Sequence, residues 1–240
     1  MNRFTKLVLR GARRVRRKKP AFAPRMILFD FDGTVGDTFA AAFEILNRLA
    51  GEFGFRQLTE SDLPLVRDMR TRQLLKFLEV PTSRLGKIAR RGAEELKQHI
   101  DEIRPLPGLP EMIRSLHGQG FRLGIVTSNS EENVRAFLRN HDLDFFEVVR
   151  SCPKLMGKAR AIRAVRKQAG FKRHQVLFIG DETRDIEACQ KAGVRVVAVT
   201  WGYNSAAVLK SLRPDYLVTT PGEIEELLAR HVPLVGPGDP

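Results

Sequence analysis

Four short stretches of the chain carry side chains suited to phosphoryl chemistry, and they come in a fixed order. Asp30-Phe31-Asp32-Gly33-Thr34 is first, followed by Thr127-Ser128-Asn129, then Gly157-Lys158, then Gly180-Asp181-Glu182 with Asp185 one helical turn on. Asp30 and Asp32 are two apart, so an extended chain turns them to the same side. With Asp181 they would form a rim of three carboxylates that repel one another. A hard divalent cation resolves that repulsion, and Mg²⁺ takes few carboxylates plus water and phosphate oxygen. A hydroxyl, free backbone N–H groups and an ammonium suit the non-bridging oxygens of a phosphoryl group. One carboxylate can attack phosphorus to give an aspartyl phosphate. A second can protonate the leaving oxygen and later deprotonate water.

Each stretch has a plainer reading when taken alone. Asp-x-Asp-Gly-Thr can be a turn, Thr-Ser-Asn a helix cap, Lys158 a solvated lysine, and Gly-Asp-x-x-x-Asp a loop with a cap. The chemical reading rests on all four occurring in this order, each ending or following a strand. Other phosphate motifs are absent. Gly157-Lys158 is followed by Ala159, so there is no P-loop, and Gly118-x-Gly120 precedes a strand instead of following one.

The elements that must position these residues can be read from the apolar pattern. Met26–Phe31, Phe121–Thr127, the run near Phe146–Val149, Val176–Ile179, Val194–Val199 and Tyr216–Val218 are short, apolar and followed by turn residues, as buried parallel strands are. Helical patterns at Glu131–Asn140, Lys158–Ala169, Thr183–Ala192 and Glu223–Arg230 fall between the later ones. The alternation predicts an α/β fold, a Rossmann-like three-layer parallel sheet, in which ligands bind at the carboxyl ends of strands. About 90 residues separate the first two strands. Thr38–Ala50, Glu60–Glu79 and Ser83–Ile103 read there as helices, so a small helical cap inserted after the first strand is expected. The expected division is a basic arm at 1–24, a core at 25–37 and 105–231, a cap at 38–104 and a tail at 232–240. Arg67, Arg70, Arg72 and Lys76 lie on one cap stretch. They either meet an anionic leaving group or form a solvated basic face.

The chain has 240 residues and a formal charge of +13, but ten of its bases fall in residues 1–25, which hold no acid. That leaves 31 Lys and Arg against 28 Asp and Glu, or +3, for the remainder, so the high isoelectric point says little about the site. Residues 1–20 read as a solvated arm, an electrostatic membrane-surface or polyanion contact, or an organellar import segment. No apolar run reaches the roughly 18 residues of a membrane span. Cys152 and Cys189 are too few for a disulfide scaffold and point to a reducing, cytoplasmic setting. No pair of cysteines or histidines has structural zinc spacing.

With the motifs DFDGTVGD (30–37), IVTSN (125–129), Lys158 and GDETRD (180–185), the chain resembles the haloacid dehalogenase-like (HAD) superfamily, close to its phosphoglycolate phosphatase-like branch. The resemblance covers about 26–230. It implies a Mg²⁺-dependent phosphatase acting on a small phosphorylated metabolite, with no specific nucleic-acid partner. By motif position Asp30 is the nucleophile and Asp32 the general acid and base. Thr127, Ser128 and Lys158 bind phosphate. Asp181 is a metal ligand with the Asp30 carboxylate and the Asp32 carbonyl, and Asp185 supports the lysine. An acid at Asp32 goes with phosphomonoester hydrolysis or phosphoryl transfer between sugars, which keeps a mutase as the rival and disfavours dehalogenation and ion pumping. Relatives often have Pro after the lysine where this chain has Ala159, which leaves Lys154 as a competitor to Lys158.

Overall fold

A computed structural model describes residues 22–152 and 157–231. Six parallel strands form one sheet: β1 (Met26–Phe29), β2 (Arg122–Thr127), β3 (Phe146–Ser151), β4 (Val176–Gly180), β5 (Arg195–Val199) and β6 (Tyr216–Val218). Their spatial order is β3-β2-β1-β4-β5-β6. The chain first builds outward from β1 through β2 to β3, then returns to the other side of β1 to lay down β4. Such a reversal opens a crevice at the carboxyl ends of β1 and β4, where doubly wound sheets bind ligands.

The period-2 alternation of strand side chains splits the core in two. Ile27, Phe29, Ile125, Ile179 and Val197 face one side of the sheet and pack with α5 (Leu109–Gly118), α6 (Glu131–Asn140) and α10 (Pro221–Ala229). Met26, Leu28, Val126, Phe178 and Val196 face the other, against α7 (Lys158–Gln168), α8 (Thr183–Ala192) and α9 (Ala206–Ser211). β1 is buried throughout, which explains its unbroken apolar sequence.

Between β1 and α5 the chain forms α1 (Phe39–Phe53), α2 (Leu63–Arg67), α3 (Thr71–Phe77) and α4 (Leu85–His99). These helices enclose a third core of Ile45, Leu49, Phe53, Leu58, Leu78 and Ile88, separate from the two on the sheet. The helix expected over Glu60–Glu79 is broken. Pro64 sits in the first turn of α2, and the chain leaves helical geometry between Arg67 and Thr71. The carbonyls of Arg67 and Met69 there accept hydrogen bonds from Asn204 Nδ2, both at 3.1 Å, and Ser205 N donates to Arg67 O at 2.9 Å. Arg67 Nη2 answers by donating to Gly202 O at 2.8 Å. On the far side, Lys97 of α4 pairs with Glu132 of α6 at 2.7 Å. The helical layer is thus tied down over the strand ends at two places. Among the described residues no helix is long and apolar enough to cross a membrane. The basic arm at 1–20, Lys154 and the tail from 232 lie outside the described residues.

Candidate active site

Strand β1 ends at Phe29, two residues earlier than the apolar run suggests, so Asp30 leaves the strand and Asp32 sits in the turn beyond it. The N–H groups of Thr34, Val35 and Gly36 all converge on Phe31 O at 2.9 to 3.2 Å, which closes the loop tightly. Phe31 is fully buried and meets Phe137 edge to face, anchoring the chain between the two aspartates. Gly33 has φ +73°, a conformation that L side chains rarely adopt, and a Cβ there would come within 2.6 Å of Asp181 Oδ2.

Asp30 is buried at the crevice. Its Oδ1 accepts from Phe31 N at 2.8 Å. Its Oδ2 has no donor aligned for a hydrogen bond, yet lies 2.6 Å from Lys158 Nζ. Lys158, at the first position of α7, also reaches Asp185 Oδ1 at 2.6 Å. Burial alone would discharge this ammonium, but Asp185 and Asp30 more than offset it and hold its pKa above the ordinary lysine value. Asp185 Oδ2 in turn accepts from Glu182 N at 3.1 Å, which fixes the carboxylate that holds the lysine.

Asp32 is half-buried. Its Oδ1 accepts from Asn129 Nδ2 at 3.0 Å, and Thr127 Oγ1 approaches Oδ2 at 3.5 Å. Burial first, and the Asp30 charge second, push its pKa up to about 6, so part of the population keeps a proton near neutrality. The Thr-Ser-Asn stretch is not the cap of α6. That role falls to Ser130, whose Oγ accepts from Asn133 N at 3.1 Å, and this frees Thr127, Ser128 and Asn129 for the crevice.

Asp181 follows β4. Its Oδ1 accepts from Thr34 Oγ1 at 2.5 Å and its Oδ2 from Tyr203 N at 2.7 Å. Burial, then the charges of Asp30 and Asp185, raise its pKa to about 7. Gly202 packs its backbone directly on this carboxylate, and a Cβ there would overlap the Asp181 side chain. Gly202→Ala should therefore cost roughly 1–3 kcal/mol of stability. Displacing Asp181 should also lower activity by about 10²-fold. Urea denaturation alongside a rate assay checks both; an unchanged rate would mean that Asp181 position does not matter to turnover.

The structure brings all of Asp30, Asp32, Thr127, Ser128, Lys158, Asp181 and Asp185 to one crevice. Carboxylate oxygens of Asp30, Asp181 and Asp185 lie within 4.8 Å of one another. This trio contains Asp185, which the motif reading reserves for supporting the lysine, and not the Asp32 carboxylate, which turns to Asn129. The four aspartates outnumber Lys158 and Arg184 by two, before Glu182 is counted. An all-oxygen donor set with excess negative charge and raised carboxyl pKa values fits Mg²⁺, since each carboxylate oxygen keeps a second lone pair for a cation.

Sequence reasoning left several participants without a role. Arg184 donates from Nη2 to Ser128 Oγ at 3.2 Å and lies against the Glu182 carboxylate. The charges of Asp30, Asp185, Asp32 and Asp181 outweigh its burial and raise its pKa. Its place inside GDETRD, between acids, was the available signal. Asn129 lies inside the Thr-Ser-Asn stretch, but its pairing with Asp32, 97 residues away, does not show in the sequence, and Tyr203 gives no signal. Trp201 donates from Nε1 to Thr34 O at 3.3 Å and so braces the first loop. Of the four cap cations, Arg67 ties the helical layer to Gly202, while Arg70, Arg72 and Lys76 are exposed.

Residues 27–199 match the family described as haloacid dehalogenase-like hydrolase. The chain belongs to that family. It is a hydrolase of HAD type, and its curated relatives carry phosphatase names. It is 32% identical over 199 residues to the phosphoglycolate phosphatase of Synechococcus elongatus, covering 82% of this chain and 94% of the relative. It is 25% identical to the pyrophosphatase PpaX of Bacillus mycoides, covering 85% and 96%. A haloacid dehalogenase-like hydrolase from Streptococcus pneumoniae superposes with a TM-score of 0.72 at 20% identity, covering 85% of this chain and 98% of that one, a likeness of fold.

Proposed function

We propose that this HAD-family enzyme hydrolyses a small phosphomonoester in two steps through an aspartyl phosphate on Asp30, with Mg²⁺ as cofactor. The observation that carries the reading is Asp30 Oδ2. It is buried at the crevice, lacks an aligned hydrogen-bond donor and stands 2.6 Å from a lysine, which leaves a lone pair free for phosphorus. Thr127, Ser128 and Lys158 take the non-bridging oxygens. Asp32 protonates the departing alkoxide, for which its pKa of about 6 suits it. Asp32 then removes a proton from the water that cleaves the acyl phosphate and restores Asp30. Asp30 and Asp181, with the Asp32 carbonyl, would hold the cation, and Asp185 positions Lys158. When bound, Mg²⁺ offsets the charge of the carboxylates and the phosphoryl oxygens. We read residues 38–104 as a cap that covers the alcohol half of the ester. The free thiols of Cys152 and Cys189 support a cytoplasmic setting. The name of the Synechococcus relative makes phosphoglycolate the first ester to assay.

The test is an Asp32→Asn variant assayed by phosphate release on two kinds of ester. An alkyl phosphate should slow by about 10²–10⁴-fold, the usual worth of general acid catalysis. p-Nitrophenyl phosphate should lose much less in its first step, because p-nitrophenolate leaves without a proton. Equal losses on both would assign Asp32 to positioning alone. One free phosphate released per ester consumed separates hydrolysis from return of the phosphoryl group to another hydroxyl.

A further inference from the structure

A cavity of about 290 Å³ lies between α1, α2 and α3 and the loops that follow β4 and β5. Arg184 and Tyr203 border it toward the crevice. Arg184 also touches Ser128, and Tyr203 donates its N–H to Asp181, so two residues of the cavity wall adjoin the catalytic groups. Phe39, Phe43, Leu46, Val66, Met69 and Leu74 make up much of its wall. Several of the polar groups in that wall are already engaged by the protein. Asn204 donates to Arg67 O and Met69 O and accepts from Thr183 N at 2.8 Å. The Tyr203 hydroxyl pairs with Thr38 Oγ1 at 2.9 Å. Arg67 donates to Gly202 O and lies over Phe39, 5.8 Å from the ring centroid. Arg184 donates to Ser128 Oγ and lies against the Glu182 carboxylate. Of the four cap cations expected either to meet an anionic leaving group or to form a solvated face, Arg67 lines the cavity and Arg70, Arg72 and Lys76 do not.

From this we infer that the leaving-group pocket selects phosphomonoesters of apolar alcohols, alkyl or aryl, over esters whose alcohol half carries a carboxylate. The inference rests on the phosphatase reading and specifies its substrate class. An apolar alcohol gains by leaving water for this wall, whereas a carboxylate placed there loses its hydration and meets the Glu182 carboxylate, which lies against Arg184 in the same wall.

The experiment uses the full chain with Mg²⁺ and a series of ethyl, butyl and hexyl phosphate, with phosphoglycolate as the acidic comparison. The three alkyl esters have leaving groups of nearly equal basicity, so differences in kcat/KM report on the pocket. An increase of up to about fourfold per methylene is expected from ethyl to butyl, the worth of burying one CH₂. Butyl phosphate should exceed phosphoglycolate by at least about 10-fold, the low end of discrimination by a hydrophobic pocket. Ala42 lines the cavity, and Ala42→Leu, which fills it, should lower the hexyl-to-ethyl ratio. A flat or falling series, or a preference for phosphoglycolate, overturns the substrate class while leaving the phosphatase reading intact. No phosphate release from any of the four esters overturns both.

Discussion

Replacing Asp30 by Asn is expected to lower p-nitrophenyl phosphate hydrolysis by at least about 10³-fold, or roughly 4 kcal/mol of barrier. The fold should survive the change. Asn is isosteric with Asp, and its carbonyl oxygen can still accept from Phe31 N, the bond that Oδ1 now makes. Lys158 loses one of its two anions but keeps Asp185 at 2.6 Å. The acid cluster sheds one negative charge where negative charge is in excess, so the metal-free variant should melt at or above the temperature of the wild type. Lost activity together with unchanged or higher thermal stability is the signature of a nucleophile. Lost activity with a lower melting temperature would instead make Asp30 a structural counter-ion to Lys158. Retained turnover would remove the aspartyl phosphate from the mechanism.

The residues at that site were legible early because each ends or follows an element whose pattern is simple. Helices α6 and α8 span the residues that periodicity predicts, and each parallel strand reads as a short apolar run. The strand-end motifs then fall together once the sheet order places β1 beside β4 and β2. The failures have a different physical origin. The Leu109–Gly118 helix escapes the apolar pattern because Pro107, Gly108 and Pro110 crowd its start. Pro110 occupies the first turn, where a missing N–H has no cost. The Ala206–Ser211 helix is six residues long, too short to show a period, and is marked chiefly by its Ser205 cap. The Glu60–Glu79 stretch has the composition of one helix, but the Arg67 and Met69 carbonyls bond to Asn204, 137 and 135 residues away. The same distance hides the apolar cavity and its Tyr203 border. Composition leaves Arg70, Arg72 and Lys76 open as substrate contacts or as a solvated face, and their exposure decides for the solvated face.

Metal removal should expose the charge imbalance of the crevice in a pH-dependent way. Burial and mutual repulsion raise the carboxyl pKa values of Asp32 to about 6 and Asp181 to about 7 in the folded chain, from 3.8. A folded state that holds protons more tightly than the unfolded one has that stabilisation in full below pH of about 4, and loses it as pH rises through 6 and 7. For Asp181 alone the loss is on the order of 4 kcal/mol. The EDTA-treated protein should therefore melt at a markedly lower temperature at pH 8 than at pH 5. A divalent cation takes the place of those protons, so its effect runs the other way. At pH 8, Mg²⁺ at about 100 times its dissociation constant should add roughly 2.7 kcal/mol, which for a chain of this size raises Tm by about 5–10 °C. At pH 5 protons compete for the same oxygens, and the shift should fall below about 2 °C. Phosphatase activity should vanish with EDTA and return with Mg²⁺ but not with K⁺. Asp181→Asn separates the carboxylate from any general effect of salt. It removes a charge and a ligand together, so the variant should be more stable than the wild type in EDTA at pH 8 and gain little from Mg²⁺. A Mg²⁺ shift of equal size at both pH values, or one that Asp181→Asn leaves intact, would mean that the cation binds elsewhere and that the aspartates at the ends of β1 and β4 are balanced by Lys158 and Arg184 alone.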